Sequence, residues 1–90
     1  MRTIYKYPLQ LERKETVITA THGCKLLHVG QDPSGDNCVW VELDPSEQEF
    51  KFTLRIIGTG HKAPDDMVHC GSFNDGPFMW HVYSSTSFIL

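Results

Sequence analysis

The 90 residues carry 8 Lys and Arg against 11 Asp and Glu, a formal net charge of −3, and are 40% hydrophobic and 21% charged. That length supports one core rather than two, and the composition is that of a folded chain rather than a disordered one. The acidic balance leaves no basic stripe for phosphate backbones, so no nucleic-acid partner is expected.

No apolar run approaches the roughly 20 residues of a membrane helix, so no membrane partner is expected. The start, "MRTIYKYPLQ", lacks the apolar segment of a secretory signal. Three cysteines, Cys24, Cys38 and Cys70, are an odd number at irregular spacing. They read as reduced thiols in a bacterial cytoplasm rather than a disulfide framework.

In chain order, "TIYKYPL" reads as a strand with Tyr5 and Tyr7 on one face, and "TVITA" as a shorter strand. "THG" uses Gly23 for a sharp reversal into a third strand, "CKLLHVG". "DPSG", residues 32–35, has Asp first, Pro second and Gly last, the residues of a type I turn, and predicts a hairpin. It leads into "CVWVEL", where Val39, Val41 and Leu43 alternate with Cys38, Trp40 and Glu42. "DPSEQE", residues 44–49, predicts one helical turn with Asp44 as its N-cap, Pro45 at the first position and Glu47 at the third. "FKFTLRI" gives the cleanest alternation, with Phe50, Phe52, Leu54 and Ile56 on one face and Lys51, Thr53 and Arg55 on the other.

The loop "GTGHKAPDD", residues 58–66, follows, and then the short strand "VHCGSF". "NDGP", residues 74–77, predicts a second hairpin turn, into "PFMWHVY", whose Phe78, Trp80 and Val82 oppose Met79, His81 and Tyr83. Six or seven short strands at close spacing predict an all-β, mainly antiparallel fold, a small barrel or sandwich with at most one or two short helical turns. Residues 1–84 form the expected single domain and 85–90, "STSFIL", a C-terminal tail. Exposed strand edges and surplus aromatics in so small a chain predict a homo-oligomer.

The blocks "TIYKYPL", "HVGQ", "CVWVELDP", "IIGTGH" and "GPFMWHVY" resemble, in order and spacing, a family of short uncharacterised proteins from tailed-phage and prophage genomes, over roughly residues 1–84. The resemblance implies a phage origin and a host bacterial cytoplasm; it brings no catalytic residues. Small phage proteins of this kind often act on the host, including against its defence systems.

Several constellations are candidates for chemistry. In the loop, the N–H groups of Gly58, Thr59 and Gly60 suit an anion, and His61 and Lys62 add positive charge. The competing reading is a wide turn in which glycine permits positive φ. Trp40 lies off its strand's aliphatic face and reads either as a stacking platform or as an interface residue; Tyr5 and Arg55 join it as candidates to stack on a base and pair with charge. The five histidines and three cysteines lack the usual zinc spacings, so no metal is expected. Adjacent Asp65 and Asp66, and His69 beside Cys70, point apart in extended chain, which argues against catalysis. No cofactor is expected.

The resulting expectation is a non-enzymatic phage protein that counters host defence by sequestering a small nucleotide-derived signal. Arg55, Gly58, Thr59, Gly60, His61, Lys62, Trp40 and Tyr5 would bind it. The alternatives are an inhibitor that binds a host protein directly, steered by its acidic residues, and a minor structural or assembly component of the phage.

Overall fold

The computed structural model describes residues 1–87. Seven strands follow one another: β1 (Thr3–Pro8), β2 (Glu15–Thr21), β3 (Lys25–Gln31), β4 (Asn37–Leu43), β5 (Glu49–Gly58), β6 (Val68–Asp75) and β7 (Phe78–Ser84). They form two antiparallel sheets, of order β1-β4-β3 and β2-β5-β7-β6. The all-β expectation holds, as a sandwich rather than a closed barrel. No residue among those described is helical.

Alternation in the sequence becomes burial in the fold. Val39, Val41 and Leu43 of β4 face Ile18 of β2, Leu54 and Ile56 of β5, and Val82 of β7 across the core, all at most 2% exposed. Every side chain of that set is apolar and branched, which suits a pleated, two-layer interior. Tyr7 ties the layers along one side, its hydroxyl donating to the Thr19 carbonyl at 2.9 Å. On the opposite side β3 and β6 approach closely, and a Cβ added at Gly71 would stand 2.9 Å from Val29 Cγ2. Asp75 closes that corner, accepting from the Asn37 amide at 3.0 Å and the Gln31 amide at 3.4 Å.

Both predicted hairpins form. In residues 32–35 the Gly35 N–H donates to the Asp32 carbonyl at 2.9 Å, with Gly35 at φ 86°. Gly76 takes φ 58° between β6 and β7. The predicted helical turn after β4 does not form. Asp44 accepts from the Ser46 N–H and hydroxyl, and the Glu47 N–H returns to the Asp44 carbonyl at 3.1 Å, so the capping chemistry closes a β-turn and the chain enters β5 at once. Ser85, assigned by sequence to the tail, still pairs with β5: its N–H donates to the Thr53 carbonyl and its hydroxyl accepts from the Thr53 N–H, both at 2.9 Å. Phe88, Ile89 and Leu90 of that tail lie outside the described residues.

Candidate functional site

Residues 58–66 carry the chain from β5 towards β6. The His61 N–H donates to the Gly58 carbonyl at 3.1 Å, and Gly60 takes φ 90° at the turn. Gly58 pairs across the sheet with Trp80, and a Cβ there would stand 3.3 Å from the indole Cζ3. Each glycine thus has a structural reason of its own: close approach to an aromatic at one, left-handed backbone at the other. His61 is exposed in this turn.

Arg55 sits opposite Glu15 of β2 and is paired with it, Nη2 at 2.8 Å and Nε at 3.2 Å from Oε1. With Lys62 it lines an open hollow of about 440 Å³, completed by Ile57, Ala63, Pro64, Asp65 and Asp66. The hollow therefore mixes two cations with two acids.

Trp40 and Tyr5 do not join this group, which corrects the expectation of one site. Both belong to the three-stranded sheet. Tyr5 pairs with Val41 and so shares its inward face, 6.3 Å ring to ring from Tyr7. Trp40, one residue along, points outward between Lys6 and His28, with its ring 5.4 Å from that of His28.

What Thr59 does meet is a set of residues that the sequence does not bring together with it. Its hydroxyl lies 2.9 Å from His81 Nε2 and donates to the Met79 carbonyl at 3.3 Å. His81 Nδ1 is 2.8 Å from Ser72 Oγ, which is 3.0 Å from His69 Nε2. With both imidazoles neutral, one ordering makes all four contacts hydrogen bonds. A carbonyl only accepts, so Thr59 donates to it and accepts from His81 Nε2–H. His81 Nδ1 is then a lone pair that accepts from the Ser72 hydroxyl, and Ser72 oxygen accepts from His69 Nε2–H. The chain runs across three segments of the fold on the outer face of the four-stranded sheet.

A β-bulge assembles it. His69 and Ser72 are three apart and would point to opposite faces of a regular strand. The pairing slips between His69 and Gly71, so that His69 opposes Tyr83, Gly71 opposes Val82 and Ser72 opposes His81. The extra residue, Cys70, turns inward and its thiol donates to the Val82 carbonyl at 3.4 Å. Both His69 and Ser72 thereby reach the outer face, where Tyr83 lies edge-on to His69 at 5.4 Å. A period-2 reading places these residues apart; a glycine inside a strand, Gly71, is the one signal of the slip. Among the described residues no group of three or more His, Cys, Asp or Glu is placed to hold a metal ion.

The other polar cluster lies at the β3–β4 turn beside β1. Asp32, with 4% of its side chain exposed, receives Lys6 Nζ at 2.8 Å on Oδ2 and the N–H groups of Ser34 and Asp36 at 2.9 Å on Oδ1. The Lys6 hydrogen bond, ahead of those two amides, holds its carboxyl below the ordinary carboxylate range. Cys38 Sγ stands 3.9 Å from the same Oδ2, and burial pushes that thiol up. A hollow of about 500 Å³ opens beside this cluster, but Lys6 and Asp32 there are already spent on one another.

No helix among the described residues is long and apolar enough to cross a membrane. Neither the curated proteins nor the solved structures contain a match to the chain. A family model described as a domain of unknown function, DUF7352, matches residues 1–88, the whole sandwich with its outer-face cluster, and the chain belongs to that family.

Proposed function

We propose that this chain is a phage-encoded, non-enzymatic binding protein of the host bacterial cytoplasm, which counters a host defence by sequestering a small nucleotide-derived signal. The observation that carries the reading is the outer face of the four-stranded sheet. There Arg55 and Lys62 line one hollow, and next to Ile57 the Thr59–His81–Ser72–His69 chain and Tyr83 present donors, acceptors and an aromatic ring on the same surface. Phosphate would face Arg55 and Lys62, ribose hydroxyls would suit Asp65 and Asp66, and a base would lie towards Tyr83. Trp40 and Tyr5 have no part in it. The phage origin and the anti-defence role rest on the resemblance of the sequence blocks.

Thermal-shift measurements against mono-, di- and cyclic nucleotides and ADP-ribose derivatives test the reading. Ligand at 100 times its dissociation constant adds about 2.7 kcal/mol, more than about 10 °C in a domain of this size. The double variant Lys62→Ala, Arg55→Gln should abolish the shift while melting close to the parent, since an exposed Arg–Glu pair contributes at most about 1 kcal/mol. A ligand shift that survives the double variant would sink this assignment, and a flat panel would sink the ligand class.

A second reading, an inhibitor that docks on a host protein, draws on a different observation. Phe78 and Met79 are 60% and 41% exposed at the β6–β7 hairpin, an apolar pair at one end of the molecule. A stoichiometric host partner lost on Phe78→Ser, Met79→Ser would favour it. A homo-oligomer through the same end remains part of the proposal, and sedimentation of the same double variant as a monomer would support it.

A further inference from the structure

Ser72 is exposed at the middle of the hydrogen-bond chain, and the order of that chain decides what its oxygen can do. The Thr59 hydroxyl, committed to the Met79 carbonyl, fixes the Nε2–H tautomer of His81 and leaves Nδ1 as a base 2.8 Å from Ser72 Oγ. Nucleophile, base and a third group that orients the base are the elements of an activated hydroxyl.

We propose that Ser72 is a reactive serine that accepts an acyl group from activated esters, with His81 as its base and Thr59 as a positioning residue. This does not rest on the nucleotide reading. Ser72 Oγ attacks the ester carbonyl carbon while its proton passes to His81 Nδ1. The carbonyl oxygen becomes an oxyanion, to which His69 Nε2–H, 3.0 Å from the attacking oxygen, can donate. As the carbonyl re-forms, the bond to the leaving oxygen breaks, and that oxygen takes the proton from His81. The products are O-acyl-Ser72 and the free alcohol or phenol. Ile57, the cross-strand partner of His81, and Met79, two residues before it on the same face, offer apolar surface to the acyl or aryl group. A neutral hydroxyl orients an imidazole without stabilising its cation, so capture of one acyl group is expected rather than the turnover of a hydrolase with a carboxylate in third place.

The test is incubation with 4-nitrophenyl acetate at neutral pH, followed by release of nitrophenolate, intact mass and peptide mapping. The expected result is one acetyl group per chain, on Ser72, absent in Ser72→Ala and formed roughly 100-fold more slowly in His81→Ala. Thr59→Val should slow the reaction and Thr59→Ser restore it, a contrast that a merely structural role would not give. Should His81→Ala melt early, the exposed Ser72 and Thr59 variants still decide the matter. Acetyl groups confined to lysines, or a rate unchanged in Ser72→Ala, would overturn the proposal.

Discussion

The two polar clusters of this small sandwich use similar side chains to opposite ends. At the β3–β4 turn, both oxygens of Asp32 are filled by Lys6 and two backbone N–H groups, and the carboxylate is sheltered from water. On the outer face of the four-stranded sheet, the hydroxyls of Thr59 and Ser72 and the rings of His69 and His81 satisfy one another in a line, yet the hydrogen bonds stay exposed. A buried, filled acceptor is worth most as a staple, because its partners have no water to fall back on. An exposed chain adds little to stability, since water replaces each lost partner, and its value lies in the orientation it gives to groups that still meet solvent. The difference separates a structural cluster from a candidate site without appeal to residue type.

The comparison is broken most forcefully at Asp32. Asp32→Ala removes the acceptor of Lys6, two backbone N–H groups and the Cys38 thiol and leaves Lys6 without its partner, so it should lower the melting temperature more than any change in the outer-face chain. Circular-dichroism melts measure this directly, and a loss no larger than that of Ser72→Ala would mean that the turn is not a staple. The same pair sets a pH dependence. Asp32 is held below its ordinary 3.8 in the fold, so its contribution is fully present above that value and is lost as acid is added through the depressed folded value. Lys6 is raised above 10.5, first by its hydrogen bond to Asp32, so its contribution is present below that pH and lost as alkali is added through the raised value. Cys70 adds to the alkaline side: burial pushes its thiol from 9.0 up to about 11, so the unfolded chain ionises first and stability falls between those values. Melts in the Asp32→Ala variant should lose the acid limb specifically contributed by this group and keep the part due to Cys70.

Gly71 sharpens the comparison, because it directly follows the bulged residue Cys70 and packs against Val29. Gly71→Ala would force a Cβ to 2.9 Å from Val29 Cγ2, an overpacking expected to cost about 1–3 kcal/mol. It should also disturb the alignment of Ser72 with His81, so the acetylation rate should fall together with stability. Normal acetylation in a destabilised Gly71→Ala would show that the chain does not need the bulge.

That dependence explains what was legible in the sequence. Each of the seven strands carries its own alternating or β-branched signal, and the hairpin turns carry Asp, Pro and Gly at the required places, so the strands and turns follow from local rules. The site follows from a breach of one of those rules. In "VHCGSF" strict alternation sets His69 against Cys70 and away from Ser72, whereas the slip at Gly71 turns Cys70 inward and brings His69 and Ser72 to one face. Trp40 and Tyr5 failed as partners of the 58–66 loop for a different reason. Strand pairing, which no local pattern dictates, sends β1 and β4 to one sheet and β5 and β7 to the other. Of the predicted site residues, Arg55 and Lys62 share a hollow, and Thr59 alone enters the outer-face chain.

Ser72→Ala should show the smallest effect on stability. The substitution removes the donor to His81 and the acceptor of His69, but both histidines keep solvent access, so the change should stay within about 1 kcal/mol. Urea melts that leave the midpoint nearly unmoved, alongside complete loss of acetylation, would separate the two clusters as the geometry does: one holds the fold, the other orients a hydroxyl. A large drop in midpoint would instead make Ser72 a cross-strand staple like Asp32, and the outer-face chain would then be read as part of how β6 is kept on the sheet.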